Sequence, residues 1–198
     1  MKKTHIVGTV GAAVVVALGG ALPAVANSTS AVSVEDLIPA LAAPQVESDR
    51  APEGMDLAAL GGIEPDSLRA LGGDDAGDYW VGRAGGAEVC LVTRLAVDPD
   101  LAASTCAPIT DFYRSGLSLV AAISADDPTL AAEAYLLPAD INLTSHDQAS
   151  ARQAAVDPQP NLISGRSDQL ETLEAFEVER TNGASFRFMP IALEGGER

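Results

Sequence analysis

The segment from Tyr79 to Leu95 constrains the fold more than any other. Tyr79-Trp80-Val81-Gly82-Arg83 reads as one strand and Val89-Cys90-Leu91-Val92-Thr93-Arg94-Leu95 as its return. Between them, Ala84-Gly85-Gly86-Ala87 is a turn whose central glycines accept positive φ. Pairing through Gly85-Gly86 sets Trp80 opposite Leu91 and Val81 opposite Cys90. Apolar side chains then stand on both faces, and a strand buried on both faces is usually central in its sheet. The hairpin therefore needs one layer above it and another below. Aromatic residues are 4% of a chain that is 47% hydrophobic, so those layers must come mostly from Val, Leu, Ala and Ile.

A second hairpin is written near the C-terminus. Phe176-Glu177-Val178-Glu179-Arg180 and Ser185-Phe186-Arg187-Phe188-Met189 flank Thr181-Asn182-Gly183-Ala184. A two-residue Asn-Gly turn would pair Val178 with Arg187 and mix the faces. A three-residue loop, Thr181 to Gly183, pairs Val178 with Phe186, Phe176 with Phe188 and Glu177 with Arg187. Apolar then meets apolar and opposite charges meet, with Gly183 at the left-handed position of a type I turn plus bulge. An isolated hairpin is marginal in water, so this one should join the main sheet.

Between the hairpins, Leu117 to Ile123 and Ala132 to Leu137 read as strands. Two short helices are expected. Ile63 to Leu71 has a proline near its start and Gly72 beyond its end; Pro108 to Ser115 is followed by Gly116. The predicted fold class is α+β or mainly β, a single small antiparallel sheet of about five or six strands with two short helices, braced by one disulfide. Residues 27–52, rich in Ala, Ser and Pro, read as a flexible tail. Residues 53–198 read as a single domain, with a polar linker at 144–160 and the C-terminal hairpin at 175–191.

The start of the chain sets the compartment. Lys2 and Lys3 precede an uncharged stretch from Ile6 to Val25, which runs into Ala24-Val25-Ala26. Positive start, apolar middle and small-residue cleavage site predict a signal peptide, 1–26, cut after Ala26. The expected location is secreted or cell envelope; the alternative is a membrane anchor formed by the uncleaved segment. In an oxidising compartment Cys90 and Cys106, the only two cysteines, are expected to pair. The bridge would close a loop of about 15 residues, contributing ~3 kcal/mol on chain-entropy grounds.

Lys2 and Lys3 are also the only lysines. Without these two, the basic residues fall from 12 to 10, all arginine, and the net charge moves from -16 to -18. So acidic a chain repels phosphate backbones and anionic headgroups, which argues against nucleic acid or an anionic membrane surface as partner. Loss of every lysine also excludes Schiff-base chemistry, a Walker-type lysine and a Ser-x-x-Lys pair.

The run Tyr79-Trp80-Val81-Gly82-Arg83, then Val89-Cys90-Leu91-Val92, Ser104-Thr105-Cys106-Ala107 and Phe112 with Gly116-Leu117 resembles uncharacterised exported proteins of high-GC actinobacteria. The resemblance covers about residues 60–137. It implies export and brings no activity, ligand or site residue with it.

Candidate chemistry is sparse. Ser104-Thr105-Cys106 with Arg114 has the Thr-Cys and Arg elements of a sortase, but no His lies between Asn27 and Cys106, and the reading fails. Two Cys and one mature-chain His are too few for a structural zinc set. Ser145-His146-Asp147 holds the residue types of a hydrolase triad, yet triads are assembled from separate segments and no G-x-S-x-G is present. A polar linker with a solvated His explains it better. Asp74, Asp75 and Asp78 form an acidic turn that suits Ca²⁺ by residue type, but the EF-hand pattern is absent and Asp is an ordinary turn former. Trp80 could anchor a binding surface, though a lone Trp more often fills a core. The expected site is thus a binding surface of Trp80, Asp74, Asp75 and Asp78, with no catalytic residue, metal or cofactor. The expected function is a non-enzymatic binding or interaction protein with an extracellular protein or envelope component as partner. The alternatives are a secreted protease inhibitor presenting Val97 to Thr105, and a hydrolase without a recognised motif.

Overall fold

A computed structural model of the chain describes residues 33–124, 126–142, 161–171 and 173–191. The expected signal segment, the linker 144–160 and the triad-like Ser145-His146-Asp147 lie outside the described residues.

Among the described residues the strands form three antiparallel sheets, not one of five or six strands. Sheet A runs β1 (Arg69–Gly73), β2 (Gly77–Ala84), β3 (Glu88–Leu95), β4 (Ala102–Pro108) in spatial order. Sheet B has β6 (Ala131–Leu136) between β5 (Leu117–Ala122) and β8 (Leu162–Arg166). Sheet C has β9 (Phe176–Arg180) between β10 (Ser185–Phe188) and the two-residue β7 (Ile141–Asn142). Three short α-helices accompany them among the described residues: α1 (Val34–Leu37), α2 (Ile109–Ser115) and α3 (Ser167–Leu170).

The sheets stack because the central strands are apolar on both faces. On β2 and β3, Tyr79, Val81, Val89 and Leu91 face a core shared with Leu117, Leu119, Ala134 and Leu136 of sheet B. The alternate residues, Trp80, Ala84, Cys90 and Val92, pack under Leu57, Ile63 and Leu68. The two layers demanded by the hairpin are therefore sheet B and the chain from Ala51 to Leu68. β6 repeats the pattern and is buried at all six positions. Ala134 and Leu136 face sheet A, whereas Tyr135 packs with Val178 and Phe188 of sheet C.

Residues 33–52, expected as a flexible tail, belong to this packing. Ser33 caps α1 in a capping box with Asp36. Val34, Leu37, Ile38 and Leu41 then enter the core between sheets A and B. Asp49 is buried and accepts the Ala70 N–H at 3.0 Å, while Gln45 donates to the Leu68 carbonyl at 3.1 Å. The predicted helix at 63–71 is replaced by a single 3-10 turn, Pro65–Ser67, and β1. Leu68 and Leu71 explain the change: they go to opposite cores, which a strand permits and one helix face does not.

The predicted second helix stands as α2, with Phe112 buried beneath it and Gly116 beyond its end at φ 72°. Leu137 and Asn161 close the base of the excursion between β6 and β8. The Leu137 N–H donates to the Asn161 carbonyl at 2.8 Å, and Asn161 Nδ2 donates back to the Leu137 carbonyl at 2.9 Å.

The C-terminal hairpin has the predicted register, Val178 with Phe186, Glu177 with Arg187 and Phe176 with Phe188. Gly183 takes φ 82°. It forms a sheet with β7 instead of extending the main one. The first hairpin is shifted by one residue from expectation. Trp80 pairs with Val92 and Val81 with Leu91, because Gly85, Gly86 and Ala87 all belong to the turn.

Cys90 and Cys106 form the disulfide, bridging directly opposed residues of β3 and β4 with Cα atoms 4.1 Å apart. Gly61 covers the bridge. A Cβ on Gly61 would come within 3.0 Å of Cys106 Sγ. The Ser104 hydroxyl holds the same covering loop by donating to the Leu60 carbonyl at 2.7 Å.

Candidate functional site

Polar side chains converge where the β1–β2 turn meets β8. Asp74 follows β1 and closes its own turn, Oδ1 accepting the N–H groups of Ala76 at 2.8 Å and Gly77 at 3.1 Å. The same oxygen accepts the Tyr79 hydroxyl at 3.1 Å, and Oδ2 accepts the Ser164 hydroxyl at 2.7 Å. Burial, then the charge of Asp74, push the Tyr79 hydroxyl well above its usual range, so the phenol remains a donor.

Next to it, Asp75 Oδ2 accepts from Arg166 Nη1 at 3.1 Å and from Gln169 Nε2 at 3.4 Å. Arg166 also forks onto Asp168, Nε to Oδ1 at 2.9 Å and Nη2 to Oδ2 at 3.2 Å. The hydrogen bonds from Arg166 hold the Asp168 carboxyl below its ordinary range. Asp74, Asp75, Ser164, Arg166, Asp168 and Gln169 thus make one seam joining sheet A to sheet B and α3.

Asp78 and Trp80 do not join this seam. Strand alternation turns both toward the opposite face of β2, where Asp78 pairs with Arg94 at 2.6 Å. Trp80 is 5% exposed and sits in the core beneath the covering loop, with the Arg94 guanidinium 5.9 Å from its ring centre. The four residues expected as one surface are therefore split by the pleat, and Trp80 takes the core role that a lone Trp more often fills.

Two further polar groups lie inside the stack. Glu133, on β6, is 3% exposed and accepts a hydrogen bond from the Tyr135 hydroxyl. The Tyr135 oxygen in turn accepts the Ile191 N–H at 2.6 Å. Burial pushes the Glu133 carboxyl above its usual range, against the opposing pull of the Tyr135 and Ser167 hydroxyls. Ser167 Oγ is itself buried and faces Glu133 at longer range, with no hydrogen bond of ordinary geometry among the described residues. Arg180, on β9, is 4% exposed and pairs with Asp140 at 2.7 Å. Its guanidinium lies 3.9 Å from the Tyr113 ring centre and 4.9 Å from that of Phe186, fastening α2 to sheet C.

Ser164, Arg166, Glu133 and Arg180 were not legible as site residues. Ser164 and Arg166 carried a faint signal, since their spacing of two places both on one face of a strand. Chemically, the seam is a set of donors and acceptors that satisfy one another across two sheets. Among the described residues no three His, Cys, Asp or Glu side chains are grouped to hold a metal ion. Among the same residues no helix is long and apolar enough to cross a membrane. Comparison with protein families, curated proteins and solved structures returns no match.

Proposed function

We propose that the chain is an exported, acidic, non-enzymatic binding module of the cell envelope or secreted space. The observation that carries this reading is the Cys90–Cys106 bridge, which consumes both cysteines of the chain. Such bonds persist in oxidising compartments and are rare where thiols are kept reduced. The lysine-bearing apolar start supports the same compartment, as does the resemblance to exported actinobacterial proteins. The excess of 28 acidic over 12 basic residues favours a partner with a cationic surface, an extracellular protein or an envelope component.

Fractionation and capture test the proposal. The chain should be recovered from medium or envelope, starting at Asn27, with no free thiol. Captured from that fraction, it should hold a component that moderate salt releases. Recovery of the intact Met1 end from the cytoplasm with both thiols free would sink it. Turnover of a panel of simple esters and peptides would favour a hydrolase instead.

One observation favours the inhibitor reading as second choice. Val97 is 51% exposed in the β3–β4 connection, the hairpin braced by the disulfide. The presenting loop is shorter than the expected Val97 to Thr105, because Ala102 to Thr105 lie within β4. Inhibition of secreted proteases that a Val97→Asp change abolishes would support this reading over the first.

A further inference from the structure

Glu133 is a carboxyl group set between two layers of the stack, with no cation against it among the described residues. On its own strand it meets Tyr135. Its ladder partners are Val120 on β5 and Gly165 on β8, neither of which titrates. From α3 it faces Ser167. Among the described residues the charged groups of β8, α3 and the 3-10 turn are engaged elsewhere, and on sheet C the buried Arg180 pairs with Asp140. Asp168 and Arg166 bind each other, Arg166 also binds Asp75, and Asp127 caps the 3-10 turn Pro128–Leu130 through Thr129. Sheet A packs on the other face of β6, through Ala134 and Leu136.

Tyr135 links this carboxyl to the chain that follows β10. Its hydroxyl donates to Glu133 and accepts from the Ile191 N–H. Donation to a carboxylate polarises the phenol and strengthens its oxygen as an acceptor. A proton from solvent on Glu133 removes that polarisation. The resulting carboxylic acid can also donate to the Tyr135 oxygen, competing with Ile191 for its lone pairs.

We infer that Glu133 and Tyr135 form a proton-controlled latch on the chain following β10, closed when Glu133 is ionised and loosened when it takes up a proton. The elevated titration range of the buried carboxyl puts the transition at milder acidity than an exposed glutamate would. The consequence is local: acidification frees Ile191 while the sheets beneath it stay packed.

The full chain, labelled for NMR, tests this directly. The Glu133 carboxyl carbon should titrate above the ordinary glutamate range. The Ile191 amide, corrected for intrinsic exchange, should lose protection by threefold or more with the same inflection. Glu133→Gln should hold Ile191 at the low-protection level at every pH, and Tyr135→Phe should do likewise. Flat Ile191 protection across the Glu133 titration would overturn the latch, as would an Ile191 inflection that persists in Glu133→Gln. The comparison of the two inflections needs only the wild-type chain, so it decides the matter even if a variant fails to fold.

Discussion

Ser164 donates its hydroxyl proton to Asp74 at 2.7 Å across ninety positions of sequence, and this bond sews the β1–β2 turn of sheet A to β8 of sheet B. Asp74 receives three more donors, from Ala76, Gly77 and Tyr79. Removing the acceptor strands all of them, whereas removing Ser164 leaves the other three in place. Asp74→Ala should therefore cost about 2–3 kcal/mol and Ser164→Ala about 1 kcal/mol. Urea midpoints at constant m-value measure both; equal costs would show that the carboxylate is not the hub.

The covering loop and the disulfide should be coupled. Gly61 has φ 99°, and a Cβ there meets Cys106 Sγ at 3.0 Å. Gly61→Ala thus combines backbone strain with a contact to sulfur. It should cost about 2 kcal/mol in the native protein and about 1 kcal/mol in a Cys90→Ala, Cys106→Ala background, where only the strain remains. The background change itself should cost about 2–4 kcal/mol. A double-mutant cycle by thermal or urea unfolding gives the coupling, and a value of zero would place the loop away from the bridge.

Arg180 and Asp140 should respond unequally to truncation. The Arg180 side chain is 3% exposed and that of Asp140 22%. Asp140→Ala leaves a guanidinium buried between two rings without its anion, at a cost of about 3–4 kcal/mol. Arg180→Met leaves a carboxylate that solvent partly reaches and keeps an apolar stem between Tyr113 and Phe186, at about 2 kcal/mol. The reverse order in unfolding experiments would contradict the burial difference.

Glu133 gives stability an inverse acid dependence. Its folded carboxyl binds a proton more tightly than an unfolded glutamate, whose ordinary value is 4.5. Its contribution is therefore greatest below that value and is lost as pH rises through the higher folded one. Glu133→Gln keeps a neutral acceptor for Tyr135 and escapes the burial of a charge. The variant should be more stable than wild type at neutral pH, with the gap closing on acidification. Thermal melts from pH 4 to pH 8 would record it; a gap constant with pH would refute the buried charge. The Glu133 contribution to stability and the Ile191 latch thus move in opposite directions on acidification.

Legibility in the sequence followed local pattern. At 176–188, alternating Phe, Val, Glu and Arg on both strands fix one register, and Gly183 fixes the loop, so the pairing could be read outright. At 79–95, both faces are apolar and a slip of one residue costs the pattern nothing, so the glycines alone set the turn. Ala87 joined it and moved every partner by one. Leu68 and Leu71, three apart, imitate a helix stripe while serving two cores. β4 and β8 were missed because Ala102 to Pro108 carries mostly small side chains and Leu162 to Arg166 is short. The seam was half visible: Asp74 and Asp75 stood out as a turn, but only the stacking of sheets supplies Ser164 and Arg166.

The clasp between Leu137 and Asn161 gives the fold a port. The excursion thus leaves and returns at one point, so β7 within it can be committed to sheet C while β6 and β8 remain paired in sheet B.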